Sequence, residues 1–550
     1  MKDLYGGPTR CLLVQTKFSE FSFWNYQDVC DIVGARYPAA PLGLLTVAGL
    51  FPQHWTFKLI DENVEPLLDK YLLWADIVCT GGMLPQQKSI LKFIHRAHVL
   101  DRIVVVGGPD PTSQPNLYRE ADFLVLGEGE ITVPMFLKDL QCGKTSGTYV
   151  SSERADMLLS VVPRYDLIRF RDYIMIGMQF IRGCPFNCEF CDVIELFGRI
   201  PRFKTTTQIL RELQTLYDLG YRGHIDMVDD NFIGNKKKVK ELLREIKSWT
   251  NERKYPFYFT TEASVDLAED DELLQLMQDC DFRYVFLGIE TPENDTLAVN
   301  QKNQNVNKPV ADAARKILAY GMVSNGGYII GFDSESRQIA ANMIDSIQES
   351  GICMAMIGLL YALPNTQLTR RLESEGRLFR LSAQSVSDTD IDQMTSGLNF
   401  ATLIPRSEIL KNYIKVIDAV FDPSNYYKRV IYTGLNIRPR YRHKPSFSTW
   451  LIYMRSFLRV CREVGFSRET GFHYWKMFFT VIVRNPMGIE AAVNLAAMFI
   501  HFQKQKAYIV SVTNRLLTSF ENTSERDYNE RMCLSHSTIN VAKQGEEKDD

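Results

Sequence analysis

The chain has 550 residues, of which 45% are hydrophobic and 23% are charged, and its formal net charge is −3. This length exceeds what one hydrophobic core normally supports, so it predicts two to four domains. The nearly balanced charge excludes an overall nucleic-acid-binding footprint, and no charge-free apolar run reaches the length of a membrane-spanning helix.

The cysteines and the N-terminus indicate the compartment. Three of the eleven cysteines cluster closely, and the other eight are scattered without the spacing of a disulfide framework. The first residues lack the apolar stretch of a signal peptide. We therefore predict a cytoplasmic protein in a reducing environment.

Short apolar runs alternate with helical patterns through residues 1–150. Such alternation predicts a doubly wound, Rossmann-like parallel sheet, in which a ligand binds outside the carboxyl ends of the strands. The predicted strands are residues 11–15, 57–61, 77–80, 103–106 and 123–126.

Glycine-rich turns follow three of these strands, at residues 81–86, 107–113 and 127–130. Glycine lets the backbone approach a large flat ligand closely. One such turn is weak evidence, since tight strand-to-helix turns use glycine anyway. Three turns at one sheet edge favour a ligand site, and the alternative is a sheet domain that binds nothing.

A C-x3-C-x2-C motif follows, formed by Cys184, Cys188 and Cys191. Three thiolates can bind a four-iron cluster and leave one iron open for a substrate or cofactor. The alternatives are a zinc site or three unrelated buried thiols. Zinc in structural sites takes four protein ligands, and no fourth cysteine or histidine lies nearby.

The motif resembles that of the radical SAM enzymes, including the aromatic Phe190 before the third cysteine. The glycine-rich domain before it resembles the cobalamin-binding domain of class B members. Residues 197–204, 228–235 and 362–368 resemble the subgroup that contains the hopanoid C-2 methylase.

Residues 173–364 continue to alternate strands and helices, with strands predicted at 173–180, 224–228, 257–262, 284–291, 326–332 and 356–360. Six strands suit the partial (β/α)6 barrel of the radical SAM family, whose active site lies at the carboxyl ends of the strands. Beyond residue 371 the pattern becomes helical.

The resemblance implies a 4Fe-4S cluster, S-adenosylmethionine and cobalamin as cofactors, and a flavodoxin- or ferredoxin-type protein as reductant. It implies that Cys184, Cys188 and Cys191 bind the cluster. The S-adenosylmethionine contacts would be Phe190, Asp229, Asp230, Asn231, Glu262, Ser264, Glu290 and Gly331. Asp230 or Glu290 could instead cap a helix.

The implied cobalamin contacts lie in the three glycine-rich turns: Gly81, Gly82, Met83, Leu84, Gln86, Gly107, Gly108, Pro109, Ser113, Gly127, Glu128 and Glu130. The chain lacks the Asp-x-His-x-x-Gly motif whose histidine binds cobalt in many cobalamin proteins. We interpret His54 as a surface residue, so the lower face of cobalamin would be covered by residues 83–85 or by water.

The region 426–476 holds eleven Lys and Arg residues against two acids, together with many aromatic residues. This composition suits either an anionic membrane surface or a solvated helical cap with buried aromatics. One face of a predicted helix is marked by the apolar residues Trp450, Met454, Phe457, Leu458, Cys461 and Val464, and another face by Arg455, Arg459 and Arg462.

These observations predict four parts: a cobalamin-binding domain at 1–150, a radical SAM barrel at 165–370, a helical domain at 371–520 and a disordered tail at 521–550. The resemblance implies methyl transfer to an unactivated carbon of a small hydrophobic or lipid substrate, at the inner membrane face or in the cytoplasm. The alternatives are a tetrapyrrole ring cyclase and a non-catalytic cobalamin or redox sensor.

Overall fold

Two parallel β-sheets and a C-terminal group of helices make up the fold of this computed structural model, which describes residues 9–19, 22, 25–379, 392, 394–522 and 524–534. Within these residues, no helix combines the length and the apolar character that crossing a bilayer requires.

The elements of the first part alternate as predicted. They are β1 (Arg10–Gln15), α1 (Gln27–Val33), β2 (Tyr37–Ala39), α2 (Leu42–Leu50), β3 (Thr56–Asp61), α3 (Asp69–Trp74), β4 (Ile77–Gly81), α4 (Gln87–Val99), β5 (Ile103–Gly107), α5 (Pro109–Ser113), β6 (Phe123–Val125), α6 (Gly129–Gln141) and β7 (Gly147–Tyr149).

Six of these strands form one parallel sheet in the order β3-β1-β4-β5-β6-β7. Successive residues of β1 bury into opposite cores, with Leu12 and Val14 on one face and Cys11 and Leu13 on the other. Burial on both faces explains the continuous apolar runs. The chain order reverses beside β1, so the carboxyl ends of β1 and β4 flank the crevice where such sheets bind ligands.

The second part contains β8 (Tyr173–Met178), β9 (Ile181–Arg182), α7 (Val193–Phe197), β10 (Arg202–Phe203), α8 (Thr206–Asp218), β11 (Gly223–Met227), α9 (Lys236–Glu252), β12 (Phe257–Ala263), α10 (Asp271–Asp279), β13 (Phe282–Glu290), α11 (Asn294–Val299), α12 (Val310–Ala319), β14 (Val323–Ile330), α13 (Ile339–Ser350), β15 (Ala355–Leu359) and α14 (Gln367–Ser374).

Strands β9 and β10 pair antiparallel with each other, and the remaining strands form a curled parallel sheet in the order β15-β14-β13-β12-β11-β8-β2, which confirms the predicted partial barrel and its six strands. A seventh strand, β2, comes from the first part of the chain and pairs with β8, with Tyr37 opposite Tyr173. Its three residues are too few for a periodic pattern. The first part of the chain therefore contributes one strand to the second sheet. The division of the chain near residue 150 stays a prediction.

The curled sheet has a buried outer face and a partly open inner face. Along β12, Phe257 and Phe259 are fully buried, whereas Tyr258, Thr260 and Glu262 are partly exposed. Because side chains alternate along a strand, the second set faces the inside of the curled sheet. The inner wall therefore has room for a ligand beside it.

The third part is helical, as predicted: α15 (Arg406–Val420), α16 (Pro423–Asn436), α17 (Phe447–Val460), a π-helical turn (Cys461–Gly465), α18 (Gly471–Arg484), α19 (Ile489–Asn522) and α20 (Glu525–Leu534). Helix α19 meets the curled sheet, since Glu490 pairs with Arg283 at 3.0 Å and Asn494 donates to the hydroxyl of Tyr284 at 3.3 Å.

The predicted disordered tail differs from the structure at α20. Its Glu525 accepts hydrogen bonds from the backbone N–H groups of Arg406 and Ser407 at 2.8 and 2.9 Å, so this acid caps the start of α15. Residue 523 and residues 535–550 of the predicted tail lie outside the described residues.

Candidate active site

The three motif cysteines lie in residues 183–192, here called the cluster loop, between β9 and α7. Gly183 opens the loop with φ of +89°, and a Cβ atom there would lie 2.9 Å from the carbonyl oxygen of Gly198, so only glycine fits. Asp230 accepts a hydrogen bond from the Gly183 N–H at 2.8 Å. Asp229 accepts two, from Phe180 and Ile181, at 2.7 Å each. The two acids after β11 therefore hold the entry of the loop.

Polar side chains from beyond β13 surround the cysteines. Gln304 donates to the Cys188 sulfur at 3.6 Å. Lys302, ion-paired with Glu290 at 2.8 Å, is attracted by Cys188 and Cys191. Burial raises the pKa of the Cys191 thiol. Such a thiol ionises when a metal binds it, because metal ligation requires the thiolate.

A ring of amides also fixes the middle of the loop. Asn187 donates to Gln301 at 2.5 Å, Gln301 donates to Gln367 at 3.3 Å, and Gln367 donates back to Asn187 at 3.1 Å. The ring joins three parts of the chain: the cluster loop after β9, the segment after α11, and the first residue of α14. The loop is thus set by tertiary contacts before any cofactor binds.

The three cysteines do not converge on a single point. In the described part of the chain, no three His, Cys, Asp or Glu side chains are arranged as the ligands of one metal ion. Cysteines that hold a four-iron cluster each bind a different iron, so a cluster does not require such convergence.

Carboxylates gather on the inner wall beside the cluster loop. Burial, and then repulsion from Asp226, Asp230 and Asp229, raises the pKa of Glu262 to about 8. Burial raises the pKa of Asp229 to about 8 and that of Asp230 to about 6. One oxygen of Asp229 is buried without a partner among the described residues. Excess buried negative charge fits a cation, and S-adenosylmethionine carries a sulfonium and an ammonium group.

The other predicted S-adenosylmethionine residues line the same strand ends. Asn231 donates to the Ser264 hydroxyl at 3.3 Å. Phe190 packs edge-on against Phe332, with ring centroids 5.6 Å apart, beside Gly331. Gly331 has φ of +114°, and a Cβ atom there would meet Leu398 at 2.5 Å, so its backbone stays bare.

The glycine-rich turns pack on one another by their backbones. A Cβ atom at Gly81 would lie 2.6 Å from the carbonyl oxygen of Gly107, and one at Gly108 would lie 2.8 Å from the amide nitrogen of Gly82. Gly108 has φ of +96°, which also favours glycine. This packing leaves a surface of bare backbone at the carboxyl ends of β4 and β5, a suitable cradle for a flat ligand.

Several neighbours hold the turns in place. Gln86 is buried, accepts from the Met83 N–H at 3.2 Å and donates to the Thr16 carbonyl at 2.9 Å. The Ser113 carbonyl accepts from Asn365 at 2.9 Å, which joins the turn to the barrel. The two hydrogen bonds of Gln86 indicate that it fixes the shape of the first glycine-rich turn. Met83, which is 43% exposed, and the next residue, Leu84, lie at the rim of that turn. In the second turn, Pro109 begins α5.

Glu128 and Glu130 have buried ionic partners that sequence reasoning missed. Arg182 donates to Glu128 at 2.7 Å and to Glu130 at 3.0 and 3.1 Å, and Arg202 donates to Glu128 at 2.8 Å. The four side chains form what we call the ionic bridge. It joins the third glycine-rich turn, which begins at Gly127, to the residue before the cluster loop. The sequence did carry a signal for this contact, because Arg182 directly precedes the Gly183-Cys184 pair of the cysteine motif.

Two further placements bear on the predictions. Tyr26, another residue that the sequence did not indicate, lies close to Asp226 and Glu262 at the inner wall; burial, and then these two acids, raises its pKa. His54 is exposed and precedes β3, so it lies at the amino edge of the sheet, opposite the glycine-rich turns. Its position supports the expectation that it does not bind cobalt.

Comparisons with known proteins agree with this geometry. A family model of the radical SAM superfamily matches residues 178–347, and a domain of unknown function matches residues 366–514. The chain is 38% identical to the uncharacterized methyltransferase sll1242 of Synechocystis sp., over 96% of this chain and 98% of that protein. It is 31% identical to the hopanoid C-2 methylase of Rhodopseudomonas palustris, over 87% of this chain and 90% of that protein.

A solved structure shares the fold. The radical S-adenosylmethionine methyltransferase TsrM from Kitasatospora setae, with cobalamin and a 4Fe-4S cluster bound, aligns with a TM-score of 0.60 at 13% identity, over 88% of this chain and 100% of that chain.

The cysteine motif on a curled parallel sheet defines a radical SAM enzyme. The chain belongs to the radical SAM methyltransferase family of these two relatives, and its fold is like that of the cobalamin-bound TsrM. The predicted family, fold class and enzyme class are confirmed. Radical SAM enzymes use a 4Fe-4S cluster and S-adenosylmethionine, and the TsrM structure holds cobalamin together with its 4Fe-4S cluster.

Proposed function

We propose that this enzyme transfers a methyl group to an unactivated carbon of a hydrophobic polycyclic lipid of the hopanoid type. The observation that carries the substrate class is the lower inner wall of the curled sheet, where Tyr258, Tyr284 and Phe286 face the interior at partial exposure. A wall of aromatic side chains suits a flat apolar molecule. The relation to a hopanoid methylase supports the same class.

The polar groups on this wall are uncharged or paired. Burial, and then the charge of Arg283, lowers the pKa of His224 to about 3, so the ring is neutral. It lies 2.8 Å from the Thr260 hydroxyl, which donates to Asp226 at 2.6 Å. Arg283 pairs with Glu490 at 3.0 Å. Beside the aromatic side chains the wall thus presents a neutral imidazole, a hydroxyl and a paired guanidinium, which suits a substrate without charge.

We assign the cofactors to the residues described above. Cys184, Cys188 and Cys191 would bind the cluster, the carboxylates near Glu262 would face S-adenosylmethionine, and the three glycine-rich turns would cradle cobalamin. When bound, these groups supply the radical that removes a hydrogen atom and the methyl group that replaces it. The chain would position these cofactors. Asp230 fixes the start of the cluster loop through its hydrogen bond from Gly183. Glu262, with a pKa of about 8, exchanges a proton near neutral pH beside the cationic S-adenosylmethionine.

The decisive experiment uses methyl-labelled S-adenosylmethionine, the anaerobically reconstituted enzyme, a chemical reductant and a hopanoid dispersed in detergent. We expect 5′-deoxyadenosine and a lipid product that has gained one labelled methyl group. The variant Tyr284→Ala should impair methylation more than S-adenosylmethionine cleavage, while Tyr217→Ala, on the outer helix α8, serves as the control. Cleavage without any labelled lipid, with hopanoids of several ring substitutions, would refute the substrate class.

The two alternatives have less support. A tetrapyrrole ring cyclase is disfavoured because the two relatives that match nearly the whole chain are methyltransferases. A non-catalytic sensor is disfavoured because the three motif cysteines are present and the family consists of enzymes. A labelled methyl group in the product separates methyl transfer from cyclisation.

We further propose two partners. A flavodoxin- or ferredoxin-type protein would supply the electron, since the cluster must be reduced; stimulation of 5′-deoxyadenosine formation by purified flavodoxin tests this. A membrane would supply the substrate through peripheral contact at its cytoplasmic face, because polycyclic lipids are scarcely soluble in water.

A further inference from the structure

Helix α17 turns an apolar stripe toward solvent. Phe447, Trp450, Leu451, Met454 and Leu458 recur at helical spacing, and they are 75, 46, 39, 37 and 62% exposed. Other residues of this helix point inward; Ser456, for example, donates to the carbonyl of Ile32 in α1. Of the apolar face that the sequence marks, the part at 450, 454 and 458 is exposed in the described structure, whereas Cys461 and Val464 are buried.

Helix α18 repeats this arrangement. Phe472, Phe479, Ile482 and Val483 are 75, 60, 39 and 77% exposed, while Tyr474, Met477 and Val481 on the opposite side are fully buried. Phe466, between the helices, is 77% exposed. One face of α18 therefore packs into the core, and the second apolar face is open to solvent among the described residues.

The two helices that carry the stripes touch each other. Phe457 of α17 packs on Phe478 of α18 with ring centroids 5.7 Å apart, and within α18 Trp475 stacks on Phe479 at 5.8 Å. Four phenylalanines exposed by 60–77% leave roughly 100 Å² each, given the size of an aromatic side chain. With the aliphatic residues, the surface exceeds the few hundred Å² that monomeric soluble proteins usually expose in one patch.

Positive charge accompanies this surface. Residues 447–487 contain six Lys and Arg residues and two acids, and Arg455, Arg468, Lys476 and Arg484 are exposed. Two copies meeting through this face would bring like charges together, which disfavours a dimer. An anionic bilayer offers both an apolar interior and negative head groups, and interfacial helices have this composition. Buried tyrosines such as Tyr426 and Tyr474 take no part, so the solvated-cap interpretation holds for them.

We propose that the exposed faces of α17 and α18, here called the docking surface, insert into the head-group region of an anionic lipid bilayer. The inference deepens the membrane contact proposed above and rests on it. Tyr453 of α17 also lies near Arg283, whose guanidinium stacks 4.2 Å from the ring centroid of Tyr258. The docking surface thus adjoins the lower end of the aromatic inner wall, and a lipid leaving the bilayer there enters the proposed substrate site.

Sedimentation of the full-length protein with vesicles tests the inference without turnover. The vesicles contain phosphatidylglycerol and phosphatidylcholine, or phosphatidylcholine alone, at low and high salt. We expect binding to the anionic vesicles that salt weakens. The variant Phe447→Ser/Leu458→Ser/Phe472→Ser should bind at least about tenfold more weakly, because it loses three apolar groups that would leave water.

A matched control removes equally exposed apolar side chains elsewhere: Leu73→Ser/Val99→Ser/Val299→Ser, at 56, 71 and 64% exposure, should bind like the wild type. A second variant, Arg455→Gln/Lys476→Gln/Arg484→Gln, should weaken binding to anionic vesicles, by roughly fivefold per charge, and reduce the effect of salt.

Three results would overturn the inference: wild-type protein that stays in the supernatant with anionic vesicles, serine variants of the docking surface that bind as well as the control, or a wild-type dimer in light scattering that those variants dissociate. Because no cofactor or substrate takes part, these results leave the proposed methyl transfer untouched.

Discussion

Replacing Glu130 with Gln should destabilise the junction between the N-terminal sheet and the cluster loop. The Glu130 and Arg182 side chains are only 3 and 10% exposed, and two hydrogen bonds of 3.0 and 3.1 Å join them. After the change, Arg182 shares Glu128 with Arg202, so two guanidinium groups face one carboxylate. Removing one partner of a buried ion pair costs about 3–5 kcal/mol. We expect the lower end, about 3 kcal/mol, because Gln keeps an acceptor oxygen.

The dependence of the folding stability on pH follows from the same contacts of Glu130 with Arg182. Burial alone would raise the pKa of Glu130, but the hydrogen bonds and charge of Arg182 outweigh it and hold that pKa below its usual range. The folded-state pKa is therefore lower than that of the unfolded chain. Glu130 therefore contributes its full stabilisation above about pH 4.3, and this contribution is lost as the pH falls through its folded-state pKa. The difference between wild type and variant should shrink accordingly in acid.

Thermal unfolding of the apoprotein measures the effect. At neutral pH the midpoint of Glu130→Gln should fall by roughly 3 °C, because the unfolding entropy of a 550-residue chain is about 1.2 kcal/mol/K. The control Asp166→Asn breaks a pair whose side chains are 28 and 45% exposed, and it should cost less than about 1 kcal/mol. The double variant Glu130→Gln/Arg182→Gln should lose less than the sum of its single variants, since it leaves no unpaired guanidinium at position 182. An unchanged midpoint, or one shifted no further than in the control, would refute the reasoning.

Three other outcomes are expected. Changing all three motif cysteines to Ala should abolish both the four irons per chain and 5′-deoxyadenosine formation, and a normal yield would contradict the cluster assignment. The affinity for S-adenosylmethionine should rise about tenfold between pH 7 and 9 as Glu262, with a pKa of about 8, ionises beside the cation; equilibrium dialysis should find a weaker dependence in Glu262→Gln, where Asp229, whose pKa is also about 8, remains. Bound cob(II)alamin should show no nitrogen hyperfine coupling from a histidine, and a coupling that vanishes in His54→Ala would prove otherwise.

The local pattern of the sequence determined most of the fold. Strands β1, β3, β4, β5 and β6 and the six later barrel strands were each predictable, because strands buried on both faces read as short apolar runs between glycine-rich turns. The cysteine motif was equally local, since three ligands within eight residues need no tertiary information. Strand β2 escaped this reasoning because three residues carry no period.

Tertiary structure alone decided which polar residues meet. Glu128 and Glu130 end a glycine-rich turn and resembled ligand contacts, yet Arg182, more than fifty residues later, pairs with both. Lys302 likewise reaches the cysteines from beyond β13. Sequence periodicity also marked an apolar face at 450, 454 and 458 but could not show whether anything covers it. An ion pair or a covered face depends on distances between segments remote in sequence, and no local pattern records those distances.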